Sequence, residues 1–187
     1  MTASGAETSV TRAEACSVLS VKAGTKAEWP GVTFAPATGS WDVAAFRHVA
    51  IALTNKSDGP LQIHARLDNR GSDGTTNCVT SSITLGKGAA DTLLLPIQSP
   101  WQVRGIEPLI GMRGWPRQPQ TSLPDPSRAT QLIVFLAKQT APREFAIGTV
   151  RAQGSVVHLP AKIFFPFIDE FGQCVDSDTS RACRRGG

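Results

Sequence analysis

The chain has 187 residues, 41% hydrophobic and 18% charged, which suits one globular domain with a single core rather than a disordered chain. Its formal net charge of +4 is scattered apart from Arg184 and Arg185, with no basic stripe interleaved with aromatics, so nucleic acid is not an expected partner. No run approaches the about 20 apolar residues of a membrane helix, and "MTASGAETSVTRAEAC" at the start holds no apolar signal-peptide region, so neither a membrane span nor a leader is visible.

Residues 1–15 are small and polar and read as a loose tail. "CSVLSVK" (16–22) has strand character, whereas "AEWPGVTFAPATGSW" (27–41), broken by Pro and Gly, reads as loop. "AFRHVAIALTN" (45–55) is the first firm strand: Val49, Ile51 and Leu53 alternate with small residues, which predicts cover on both faces. After a turn at Gly59 and Pro60, "LQIHARLD" (61–68) alternates cleanly. Leu61, Ile63, Ala65 and Leu67 face in; Gln62, His64, Arg66 and Asp68 face out. These two strands are expected to be antiparallel neighbours.

A polar loop (69–77) leads to the β-branched strand "CVTSSITL" (78–85), a turn, and "DTLLLPI" (91–97), where Pro96 marks an edge or an end. The stretch 98–128 is long and irregular, with Trp101, Trp115 and six prolines, and loops of that length are often functional. "ATQLIVFLAK" (129–138), "EFAIGTVRAQG" (144–154, with Phe145, Ile147 and Thr149 on one side) and "KIFFPF" (162–167) complete the strands. No segment has a capped 3.6-residue period, and strands punctuated by turns at this spacing predict an antiparallel β-sandwich.

The search for catalytic chemistry finds little. Asp169 and Glu170 are adjacent, so on a strand they point to opposite faces and cannot act as a pair on one substrate. There is no G-x-S-x-G elbow, H-E-x-x-H or P-loop. "DNRGSDGTTN" (68–77) offers oxygen ligands for a structural calcium ion, yet lacks EF-hand spacing and reads more plainly as an Asx-rich turn; no other cofactor is expected. The cysteines Cys16, Cys78, Cys174 and Cys183 allow three disulfide connectivities. Cys16 with Cys78 would tie the start to mid-chain, Cys174 with Cys183 would close a short terminal loop, and buried free thiols are the other reading.

Four tryptophans and no tyrosine make the aromatic balance unusual, and Trp29, Trp41, Trp101 and Trp115 all fall in expected loops. An indole is a flat apolar face with one N–H donor. It suits stacking on a sugar ring or a protein surface, or plugging an open end of a sandwich. "GMRGWPRQP" (111–119) sets Arg113, Trp115 and Arg117 at alternate positions. His48 and His64 read as strand-surface residues.

In order and spacing, "WDVAAFRHVAIALTN" (41–55), "PLQIHARLDNRGSDGTTNCVTSSITLGKG" (60–88), "GMRGWP" (111–116), "ATQLIVFLAKQTAPREFAIGTVRAQG" (129–154) and "FFPFIDEFGQ" (164–173) resemble a known family. It is the non-catalytic N-terminal β-sandwich module of glycoside hydrolase family 50 type β-agarases and related bacterial polysaccharide-degrading enzymes. The resemblance implies an all-β, galactose-binding-like jelly roll over residues 16–173. A catalytic (β/α)8 domain would follow "PFIDEFGQ". Residues 174–187 do not align with that continuation, and their two cysteines suggest a disulfide-stapled C-terminal tail.

The resemblance further implies a secreted, non-catalytic module, extracellular or periplasmic, that binds a galactan such as agarose or agaro-oligosaccharides. Trp41, Trp101 and Trp115 are the expected stacking platforms, and Arg66, Asn69 and Arg113 the expected hydrogen-bonding groups. The alternative is a structural module that packs against the catalytic glycoside hydrolase domain without touching sugar. A third reading, a jelly-roll lyase or hydrolase, lacks an acid–base partner for His64 and Arg66.

Overall fold

The computed structural model describes residues 1–13, 16–97 and 124–155, and the backbone of three two-residue strands beyond them. In chain order the strands are β1 (Thr2–Ser4), β2 (Ala6–Ala13), β3 (Cys16–Ala23), β4 (Gly31–Phe34), β5 (Phe46–Asn55), β6 (Leu61–Asn69), β7 (Cys78–Leu85), β8 (Ala90–Pro96), β9 (Ala129–Phe135) and β10 (Arg143–Ser155). They form two five-stranded sheets, β1-β4-β9-β6-β7 (sheet A) and β2-β3-β10-β5-β8 (sheet B). The short strands β11 (Phe167–Ile168), β12 (Cys174–Val175) and β13 (Ala182–Cys183) pair among themselves, with Cys174 opposite Cys183.

The pairing has one underlying pattern. β3 pairs with β10, β4 with β9, β5 with β8 and β6 with β7, all antiparallel. The pairs fall alternately in sheets B, A, B and A. This is one long hairpin rolled over on itself, the jelly roll that the sequence resemblance implied.

Period-2 alternation supplies the core. Val49, Ile51 and Leu53 from β5, Leu61, Ile63, Ala65 and Leu67 from β6, and Phe145 and Ile147 from β10 are buried between the sheets. In β5, Ala50 is buried on the opposite face as well.

β5 and β6 are not neighbours, contrary to the expectation from sequence. They lie in opposite sheets, because β5 is flanked by β8 and β10 and β6 by β7 and β9. The 56–60 connection is a corner rather than a hairpin. Asn55, fully buried, fastens it: its two Nδ2 hydrogens are shared among the carbonyls of Gly59 (2.8 Å), Leu85 (3.0 Å) and Gly86 (2.9 Å), and its Oδ1 accepts from Ser57 N (2.8 Å). One side chain thereby ties the β5–β6 corner to the β7–β8 corner.

Residues 2–13, read as a loose tail, instead form β1 and β2, which zip onto β4 and β3. Gly5, at φ +58°, steps the chain from sheet A to sheet B, and a Cβ there would collide with the Ala27 side chain. β4 lies inside the segment expected to be loop. β8 is an edge strand ending at Pro96, as its proline indicates. In β10 the register against β5 shifts between Ile147 and Val150, so Thr149 is exposed rather than in line with Phe145 and Ile147. The expected strand 162–167 falls outside the described residues up to Phe167.

Candidate functional site

β6 lies inside sheet A, between β7 and β9. Its outward residues Gln62, His64, Arg66 and Asp68 recur every two positions, a row about 20 Å long at the strand rise of about 3.3 Å per residue. On one flank, register places Thr84, Ser82, Thr80 and Cys78 beside them; on the other stand Phe135, Ile133 and Gln131.

The row divides into an aromatic end and a polar end. His64 stacks on Phe135, with ring centroids 5.3 Å apart and planes at 18°. Trp29, which precedes β4 through Pro30, meets the same phenyl ring edge-on, at 5.8 Å and 86°, and its indole is 54% exposed. Phe135 can lean this way because its partner on β4 is Gly31, where no side chain competes for the space. Burial pushes the His64 imidazole below its ordinary value of 6.5, so the ring is neutral at physiological pH.

At the polar end, Arg66 Nε donates to Asp68 Oδ1 at 2.8 Å and Nη2 to Oδ2 at 3.0 Å. Gln131 Nε2 adds a bond to Oδ2 at 2.7 Å. The Asp68 side chain is fully buried and that of Arg66 is 23% exposed. Gln62 donates to Ser82 Oγ at 3.4 Å near the other end. The two charges of the row cancel within the Arg66–Asp68 pair, leaving a neutral surface of aromatic, amide and hydroxyl groups.

Of the residues singled out from sequence, Trp41 and Asn69 both pair with Ala129 at one end of sheet A, and Arg66 lies further along β6, opposite Ile133. Trp41 is bridged to Ala129 (Trp41 N to Ala129 O, 2.8 Å) and packs half-buried against the core. Asn69 pairs with Ala129 from the other side, and its Nδ2 holds the carbonyl of Asp125 at 3.0 Å. Its Oδ1 is buried with no hydrogen-bond partner among the described residues. Trp101, Arg113 and Trp115 lie outside the described residues.

Trp29, His64, Phe135 and Gln131 were not selected from sequence. The outward parity of Gln131, Ile133 and Phe135 in "ATQLIVFLAK" was the available signal; nothing local marks Trp29 as facing Phe135.

In the 69–77 loop, Asp73 Oδ1 accepts from Thr75 N (2.8 Å), Thr75 Oγ1 (2.8 Å) and Thr76 N (2.7 Å). The Thr76 and Thr75 bonds hold its carboxyl well below the usual carboxylate range. Among the described residues no three His, Cys, Asp or Glu converge at metal-ligand spacing. Cys78 is a buried free thiol. The bridge to Cys16 considered from sequence is therefore not formed, in keeping with β7 and β3 lying in opposite sheets.

The doubled-hairpin sandwich defines the class: an all-β jelly-roll module with the fold of carbohydrate-binding modules. No family model matches the chain. It is similar to β-agarase B of Vibrio sp. (strain JT0107), with 29% identity over 181 residues that cover 86% of this chain but only 18% of the agarase. Its structure is similar to that of an exo-β-agarase (TM-score 0.58, 14% identity), covering 92% of this chain and 25% of that one. It is also similar to the family 11 carbohydrate-binding module from Clostridium thermocellum in complex with a β-1,3-1,4-mixed-linked tetrasaccharide (TM-score 0.50, 14% identity), over 82% of this chain and 85% of that one. The chain spans 18% of the curated agarase and 25% of the exo-β-agarase, against 85% of the family 11 module.

Proposed function

We propose that this chain is a carbohydrate-binding module whose ligand, a galactan such as agarose or an agaro-oligosaccharide, lies along the outward row of β6. The observation that carries the reading is the combination on one exposed sheet face of an aromatic corner, Trp29, Phe135 and His64, with a line of hydrogen-bonding groups. The apolar face of one sugar ring stacks on the Trp29 indole, and hydroxyls of successive rings along the row reach Gln62, Ser82 and Arg66. A few such contacts on an open face give modest affinity, on the order of micromolar to millimolar. The agarase relative supports a galactan, and the tetrasaccharide in the family 11 module supports an oligosaccharide on this fold. On this reading the module serves a catalytic glycoside hydrolase domain outside the cytoplasm; among the described residues no helix is long and apolar enough to cross a membrane.

Affinity electrophoresis of the chain in gels with agarose, with mixed-linked β-glucan and with no polysaccharide tests the proposal. Retardation in the agarose gel alone, lost in Trp29→Ala, is the expected result. A second reading, a scaffold packed against the catalytic domain, draws on the outer side of sheet B, where Ala50 pairs with exposed Leu94 on the β8 edge. Unretarded migration in every gel favours that scaffold.

A further inference from the structure

We infer that Asp68 is a positioning residue: its buried carboxylate fixes Arg66 and Gln131 as a fork of N–H donors at the polar end of the β6 row. This fork selects the edge of an uncharged saccharide that presents adjacent acceptor oxygens. The inference rests on the saccharide reading of that face.

Asp68 has outward parity on β6, yet its side chain is fully buried. A carboxylate survives such burial only when its lone pairs are met, and here three donors converge on its two oxygens: Arg66 Nε on Oδ1, and Arg66 Nη2 and Gln131 Nε2 on Oδ2. Both carboxylate oxygens are thereby engaged, and the guanidinium keeps N–H groups that Asp68 does not use. A guanidinium carries five N–H bonds; Asp68 takes two, leaving three on Nη1 and Nη2 in a fixed plane.

The 69–77 loop limits the rotamer further. Gly74, at φ +91°, passes so close that a Cβ there would stand 2.7 Å from Arg66 Nη1. Because Asp68 neutralises Arg66, the fork offers geometry without net charge, which matches hydroxyl and ring oxygens rather than a sulfate ester.

The test uses the full chain, with agarohexaose as the neutral probe and κ-carrageenan oligosaccharide as the sulfated one, measured calorimetrically beside thermal melts. Arg66→Lys keeps a cation beside Asp68 but has no planar fork. It is expected to melt close to the wild type and to bind agarohexaose about tenfold more weakly, as the loss of directed charge-assisted bonds implies. Asp68→Asn, where it folds, shows the same loss, and wild-type affinity is unchanged by added salt. Wild-type binding with both variants equally tight reduces Asp68 to a structural role and overturns the inference alone. Tighter, salt-sensitive binding of the sulfated probe also overturns it. A wild type that binds neither probe overturns the saccharide reading and this inference with it.

Discussion

The side-chain amide of Asn55, at the end of β5, donates to the main-chain carbonyl of Leu85, at the end of β7, across 3.0 Å and between opposite sheets. With its bonds to Gly59 and Gly86, this one residue closes two corners of the roll. Asn55→Ala leaves several inward-facing polar groups unmatched and is expected to lower stability by about 2–4 kcal/mol. That corresponds to roughly 5–15 °C in Tm for a domain of this size. Asn55→Asp keeps the acceptor for Ser57 N but points a carboxylate at three carbonyls, so it is expected to be at least as damaging at neutral pH. Urea unfolding of both variants checks the ranking.

Gly31 is fixed by its neighbours rather than by its dihedrals. A Cβ at that position meets the Val134 carbonyl and stands 2.6 Å from Phe135 Cα, both backbone atoms of β9. Gly31→Ala must therefore push β4 away from β9, at about 1–3 kcal/mol. It also displaces Phe135, so saccharide retardation falls together with stability. Gly86→Ala, with nothing near the added Cβ, is the control and changes stability by less than about 1 kcal/mol.

His64 gives the fold a pH dependence with a definite sign. Burial lowers its pKa below 6.5, so the unfolded chain binds the proton more readily than the folded one. The contribution is fully present above pH 6.5 and is lost as pH falls through the lowered folded value. His64→Phe removes this titration, so Tm measured against pH is expected to fall more steeply for the wild type than for the variant just below pH 6.5. Asp73, held down by the Thr76 and Thr75 bonds, has stability present above 3.8 and lost below it, a separate and more acidic window.

What the sequence shows of this molecule follows from how local each determinant is. The inward sets of β5 and β6, the outward row through Arg66 and the edge character of the Pro96 strand depend on period 2 and on one proline, and all are legible. Which sheet each strand joins is not, because it depends on pairings between strands far apart in sequence, β5 with β10 and β6 with β9. β1 and β2 escape notice because edge strands gain their place through backbone bonds and need little apolar patterning. Trp29 sits among Pro and Gly and reads as loop; its ring contact is with Phe135, from a strand far along the chain. Trp41 reads as an equally good platform, yet it packs against the core.

The two tryptophans are therefore expected to separate binding from stability. Trp29 is more than half exposed, so Trp29→Ala is expected to change stability by less than about 1 kcal/mol, while removing the platform and abolishing retardation in agarose. Trp41 packs against the core cluster beside its bridge to Ala129, so Trp41→Ala is expected to cost about 2 kcal/mol or more and to leave retardation intact well below the melting temperature. Parallel melts and affinity gels on the two variants read both quantities at once. The reverse pattern, with Trp41→Ala folded but unretarded and Trp29→Ala retarded, would move the binding surface from the Trp29 corner to the end of sheet A where Trp41 and Asn69 flank Ala129.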